Sequence, residues 1–236
     1  MSTYLKLTND VLTLLNEVPL EESSFASATG IHASAKLNVR NVVSRINKQW
    51  NTWPFNAAEH TMQLIPGQEE YGWPQNFSLV DWNSFFIERD DTLDILTKKL
   101  LRLNRDDWYS NTKPKDDDTR TTGVEEPKYV FPAHGRGFGV SPSPDKAYTI
   151  KFRYFINPPP LNLHDDVCTI PEEWEFAIID GVMYHMMMFK ENTDIAMNFR
   201  QLFKDDLSQM RTELINNYDY IQDARIDTAL IGSNGR

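Results

Sequence analysis

Cysteine occurs once, at Cys168, so no disulfide can form within the chain and stability must come from packing. Positive charge is also short: 24 Lys and Arg stand against 34 Asp and Glu, a net charge of −10. That balance repels phosphates at long range and argues against a tight, sequence-independent grip on nucleic acid, while leaving an acidic channel wall possible. Long apolar runs are missing as well. Val182 to Phe189, interrupted by His185, falls far below the roughly 20 residues of a bilayer span, so no membrane partner is expected. The opening MSTYLKLTND has neither the basic nor the apolar region of a signal peptide, which predicts a chain made and kept in a reducing cytoplasm.

Motifs of reaction chemistry are equally sparse. The five histidines, His32, His60, His134, His164 and His185, show no metal-site spacing, and one cysteine cannot supplement them. His164-Asp165-Asp166 precedes a helix in a loop, where Asp solvates or caps. Asp116-Asp117-Asp118 lacks the alternating ligands and glycine of a calcium loop. Gly135-Arg136-Gly137-Phe138-Gly139 leads into Ser-Pro-Ser-Pro and a strand rather than a helix, so it reads as a turn and not a phosphate loop. Met186-Met187-Met188 reads as core filler, and carboxylate pairs such as Glu125-Glu126 sit in polar stretches. No catalytic residue, metal site or cofactor is therefore expected.

What is abundant is patterned apolar surface. Hydrophobic residues at 40%, aromatics at 12% and charged residues at 25% describe a folded chain rich in large packing groups. Tyr4 to Leu15 places Leu5, Thr8, Val11, Leu12 and Leu15 on one helical face. A second helix is predicted from about Ile31 to Trp53, with Val39, Val43, Ile46, Trp50 and Trp53 along its stripe and Leu37 and Val42 broadening it; Pro54 would end it. Helix spacing then stops. Thr61 to Ile65, Ser78 to Glu88, Lys99 to Leu103, Tyr129 to Phe131 and Phe138 to Val140 read as strands split by turns such as Pro66-Gly67. The clearest strand is Ala147 to Ile156, where Tyr148, Ile150, Phe152, Tyr154 and Ile156 alternate with the residues between them. Helical spacing returns after Pro171, with Trp174, Ala177, Ile178, Val182, His185 and Phe189 on one face. Phe199, Phe203, Leu207, Met210 and Leu214 follow in a last helix from Asp194 to about Tyr218.

Helices at both ends of the chain lack adequate partners nearby in sequence, so the pattern predicts an α+β fold. An antiparallel helical bundle of N- and C-terminal helices would carry an inserted antiparallel β region: residues 1–56 and 169–221 for the bundle, 57–168 for the insertion. Residues 222–236 are expected to form an extended arm, in which Ile226, Leu230 and Ile231 are candidate partner-binding anchors. The polar stretch from Ser110 to Pro127 has no clear role.

Two passages carry a family likeness. The segment from Leu37 to Ile65, with NVRNVVSRINKQWNTWPFNAAEHTMQLIPG from Asn38 as its later part, resembles the Ile-Asn, large aromatic, strand, Leu-Pro-Gly passage of the phage head-to-tail adaptor family, which includes tail tubular protein A. SPSPDKAYTIKFRYFI from Ser141, followed by Thr169-Ile170-Pro171-Glu172-Glu173-Trp174, is similar to that family's Pro-x-Pro, long strand, Ile-Pro-Glu-Glu-aromatic passage. The resemblance spans about Asn9 to Tyr218 in the same order. It implies a structural virion protein without catalytic residues: a ring, commonly of twelve copies, between the portal protein of the capsid and the tail nozzle protein, with genomic DNA passing through unspecifically. The competing class is a tail-associated carbohydrate-binding or glycan-hydrolysing protein, which needs exposed aromatics or a carboxylate pair across a concave pocket.

Overall fold

The computed structural model describes residues 1–91, 94–112 and 124–216. They form six α-helices and nine strands, an α+β fold, in two compact units. One unit combines Met1–Asn56 with the chain from Pro158 onward, and the other is Ala57–Asn157.

In the helical unit, α1 (Tyr4–Leu14), α2 (Glu22–Phe25), α3 (Gly30–Gln49), α5 (Glu175–Phe189) and α6 (Thr193–Arg211) share a single core. α1 begins where the Thr3 hydroxyl accepts the Lys6 N–H at 3.2 Å. Its apolar spacing buries Leu7, Thr8, Val11, Leu12 and Leu15. α3 buries Ala35, Val39, Val42, Val43 and Ile46, but Leu37, expected to widen that stripe, is 56% exposed. α5 packs against α1, α3 and α6. It can sit among them because of Gly181: a Cβ there would lie 2.9 Å from both Val42 of α3 and Phe203 of α6. A mid-helix glycine costs about 1 kcal/mol of helix propensity, and here it gives two neighbours room.

Three expectations are corrected in this unit. The second helix ends at Gln49 rather than Trp53: Trp50 is already extended, with φ −134°, so Pro54 is not the terminator. Trp53 is nevertheless fully buried, reached by a turn instead of a helical face. Phe189, placed on the apolar face, is 64% exposed, and Met186 takes the inward position at that end of α5. Residues 158–168, read as part of the insertion, belong with the helices, where Leu161 and Cys168 are buried in their core.

The second unit holds two sheets. The first has β1 (Ala57–Gln63), β9 (Thr149–Ile156), β4 (Phe86–Asp91) and β5 (Asp94–Lys99) in that order, with β3 (Phe77–Val80) also pairing β9. The second runs β2 (Glu70–Gly72), β8 (Gly137–Ser141), β7 (Tyr129–Pro132), β6 (Leu101–Arg102). β9 is the expected alternating strand: Ile150, Phe152 and Tyr154 are buried, while Lys151 and Arg153 lie on the other face. Ile87 of β4 and Val130, Phe138 and Val140 of the second sheet complete its core, with Phe138 and Phe152 centroids 5.3 Å apart. Pro66-Gly67 makes the predicted turn, with Gly67 at φ +76° and the Gln68 N–H donating to the Ile65 carbonyl at 3.0 Å. Two features depart from an all-antiparallel insertion. β6 pairs β7 in parallel, and a short α4 (Arg105–Asp107) follows β6, continuing into a π-helical turn over Trp108–Thr112. The ring of Trp108 stacks on Phe131 at 4.1 Å and ties this turn to β7.

Candidate functional site

The glycine-rich segment is a packing device. Gly135 takes φ +80° in the turn before β8, where an L side chain would be strained. A Cβ on Gly137 would lie 2.3 Å from the Tyr71 carbonyl oxygen, and one on Gly139 would lie 2.3 Å from Cζ of Phe131. These two glycines let β2 approach closely and let an aromatic ring lie on the strand.

The His164-Asp165-Asp166 loop seats the start of α1. Asp166 Oδ2 accepts the backbone N–H groups of Asn162 at 2.5 Å and Leu163 at 2.8 Å, and these bonds hold its carboxyl below the usual range. Its backbone carbonyl accepts the Tyr4 N–H at 2.8 Å, and that of His164 accepts the Leu5 N–H at 3.0 Å. Beside it lies an open hollow of about 290 Å³, bounded by Val43, Asn47, Pro158 to Pro160 and Thr169. Among the described residues no group of three or more His, Cys, Asp or Glu is placed to hold a metal ion.

One titratable pair escaped the sequence reading. Asp180 of α5 and Asp206 of α6 interact through their carboxyl groups, and Asp206 Oδ2 is buried without a hydrogen-bond partner among the described residues. Burial, and then the negative charge of Asp206, pushes Asp180 up to about 6; burial also raises Asp206. Twenty-six positions of sequence separate the two. The only local signal was an aspartate inside the apolar run Ile178-Ile179-Asp180-Gly181. Burial, and then the charge of Arg45, pushes His185 below the usual imidazole value. Burial pushes the Cys168 thiol up to about 11, which leaves it protonated and unreactive.

Surface suited to partners is present on the same two helices. α5 exposes Phe176, Met188 and Phe189, and α6 exposes Ile195, Met197 and Leu202. The three methionines divide: Met186 is core, Met187 packs on the core edge, and Met188 is exposed. Ile226, Leu230 and Ile231, the anchors expected from the sequence, lie outside the described residues, as does 113–123 of the polar stretch.

Most aromatic rings of the β unit turn inward, with Phe86 and Tyr109 as exposed exceptions. Trp73 stacks on Phe77 at 4.4 Å and meets Trp82, Phe138 and Phe152 within 5.8 Å. Trp82 stacks on Phe85 at 5.7 Å, and the Arg102 guanidinium lies 5.4 Å from its ring centroid. A sugar platform needs an open ring face, whereas these rings bind one another. Among the described residues no helix is long and apolar enough to cross a membrane.

No curated protein matches the sequence. A family model described as SU10 adaptor protein matches residues 2–226, nearly the whole chain, in agreement with the adaptor phrases around Trp53 and after Pro142. The chain therefore belongs to the SU10 adaptor protein family, as a structural phage protein of the virion that associates with other head-to-tail components.

Proposed function

We propose that this protein forms the adaptor ring between the capsid portal and the tail nozzle, about twelve copies around a channel for the genome. The match over residues 2–226 is the observation that carries this reading. In it, the helices of residues 1–56 and 158–216 make an antiparallel bundle, and residues 57–157 are its β insertion. Each copy presents two different surfaces to its neighbours, as a closed head-to-tail ring requires. The net charge of −10 suits a channel wall, because weak affinity for phosphate lets DNA pass. Assembly takes place in the host cytoplasm, and the ring neither turns over a substrate nor selects a DNA sequence.

The tail after Ile221 serves as an assembly arm, with Ile226, Leu230 and Ile231 as anchors on a neighbouring copy or the portal. Ordering such a segment consumes part of its contact energy, so the free chain stays weakly associated and closes mainly on its template. Negative-stain imaging of the purified protein mixed with portal rings tests the reading: extra density capping the portal is the expected result, and bare portals at saturating protein overturn it. Truncation after Ile221 is expected to keep helicity and to weaken co-sedimentation with portal. Undiminished ring formation would remove the arm from the scheme. Hydrolytic activity lost on His164→Ala or Asp165→Ala, or specific duplex binding at physiological salt, would remove the structural assignment.

A further inference from the structure

Among the described residues, the first sheet of the β unit ends in two strand edges that no further strand pairs, and their polarity and charge match each other. The Leu64 N–H donates to the Tyr148 carbonyl at 2.8 Å, continuing the register that sets Gln63 opposite Thr149. Bonded pairs alternate along an antiparallel ladder, so Met62, His60 and Ala58 also point their backbone groups at β9. Ala57, Glu59, Thr61 and Gln63 therefore point theirs outward. All four are exposed, and no bond to their backbone is made among the described residues outside the strand ladder. At the opposite edge, the Leu100 N–H donates to Phe85 at 2.9 Å, continuing the register of Phe86 with Lys99. By the same alternation Ile95, Thr97 and Lys99 point their backbone groups away from β4.

Polarity selects the partner. The path β1, β9, β4, β5 alternates in direction at each step and contains an even number of strands. β5 thus runs opposite to β1. A second copy set alongside by a small rotation brings its β1 next to β5 in the antiparallel sense, continuing the sheet. Pairing of β1 with another β1 would stop at a dimer; pairing of β1 with β5 propagates head to tail. Side chains select the register. Glu59, opposite Arg153, shares a sheet face with Lys151, Phe86 and Lys99 through successive paired positions. Setting Glu59 opposite Lys99 of the next copy aligns opposite charges and brings Thr61 opposite Thr97, both favourable cross-strand pairs.

We propose that copies of this chain join by antiparallel pairing of β1 of one with β5 of the next, Glu59 facing Lys99 and Thr61 facing Thr97. This rests on the ring reading above and names its joint. A seven-residue edge that no described residue covers, with one carboxylate, is a ready template for strand addition, and main-chain bonds would supply affinity while the Glu59–Lys99 contact sets register.

The sole native cysteine, Cys168, is 1% exposed, so introduced thiols report cleanly. Thr61→Cys and Thr97→Cys proteins, mixed on portal rings and oxidised, should give a cross-linked dimer. Each alone should stay uncross-linked, and the double variant should give a ladder ending at the closed ring. The facing Cα atoms would lie about 5.5 Å apart, within disulfide reach. Thr61→Pro removes an outward N–H that no described residue accepts, so the melting temperature should hold while ring assembly needs about tenfold more protein. Rings that form without the 61–97 cross-link, that cross-link through Thr61→Cys alone, or that assemble normally from Thr61→Pro protein would overturn the joint and leave the ring intact. Absence of any ring from the unsubstituted protein would overturn the ring reading itself.

Discussion

The indole N–H of Trp53 donates to the carbonyl oxygen of Ile46 at 2.8 Å, and both residues are fully buried. α3 ends at Gln49, so the Ile46 carbonyl is among the last ones without an intrahelical partner. A side chain seven residues onward supplies the missing donor. Trp50 and Phe55 pack on the same indole, edge-on at 5.2 Å and stacked at 5.5 Å, fixing the chain's exit from the helix.

Removing that donor while keeping a ring should be costly but tolerated. Trp53→Phe is expected to destabilise by about 1–3 kcal/mol, the penalty of a buried carbonyl left unpaired. Ile46→Asp should cost more than about 4 kcal/mol, because a charge would be buried unpaired, whereas exposed Lys48→Asp should stay within about 0.5 kcal/mol. Denaturant titration followed by tryptophan fluorescence measures all three; equal shifts for Ile46→Asp and Lys48→Asp would reject the helix register.

The Asp180–Asp206 pair predicts an acid-side gain in stability. The folded state holds Asp180 up to about 6 against an ordinary value of 3.8, so it binds its proton more tightly than the unfolded chain does. The contribution is complete below pH 4 and is lost as pH rises through 6. Water at this half-buried site screens the effect to roughly 1 kcal/mol, a few degrees in melting temperature. Melting curves between pH 4 and 7 should show the fall in the natural sequence and a flatter profile for Asp180→Asn. An identical slope in both would assign the pH dependence to other groups.

Gly139 should be intolerant of any side chain. Gly139→Ala puts a carbon 2.3 Å from the ring of Phe131, which is fully buried and stacked on Trp108, so neither partner can swing away. A loss of about 1–3 kcal/mol is expected. Gly72→Ala is the control, since nothing lies within 4 Å of its added Cβ. Similar stability of the two variants by chemical denaturation would contradict the packing described.

The end of α5 separates core from surface within four residues. Met186→Ala should destabilise by about 2–5 kcal/mol as a core truncation. Phe189→Ser should change stability by less than about 0.5 kcal/mol, as a substitution of an exposed residue. Thermal unfolding of the two proteins compares them directly, and a large loss for Phe189→Ser would return that ring to the core.

The sequence by itself determined what repeats locally. The spacing of Val39, Val43 and Ile46, the alternation of Ile150, Phe152 and Tyr154, and the Pro66-Gly67 turn each follow from the geometry of one element. The alternation of long helical and strand segments determined the α+β class, and the ordered phrases around Trp53 and Pro142 determined the family likeness. Only the tertiary structure decided which side of each element meets a neighbour. Leu37 and Phe189 satisfy helical spacing yet face outward, because a stripe is only as wide as the partners that cover it. Trp53 is buried without being helical, since a turn delivers it to the Ile46 carbonyl. The pairing of Asp180 with Asp206, the ring of Phe131 over Gly139 and the parallel step from β7 to β6 join residues far apart in the chain. Such contacts leave no periodic trace, because their geometry is set by the packing of separate elements rather than by the backbone of one.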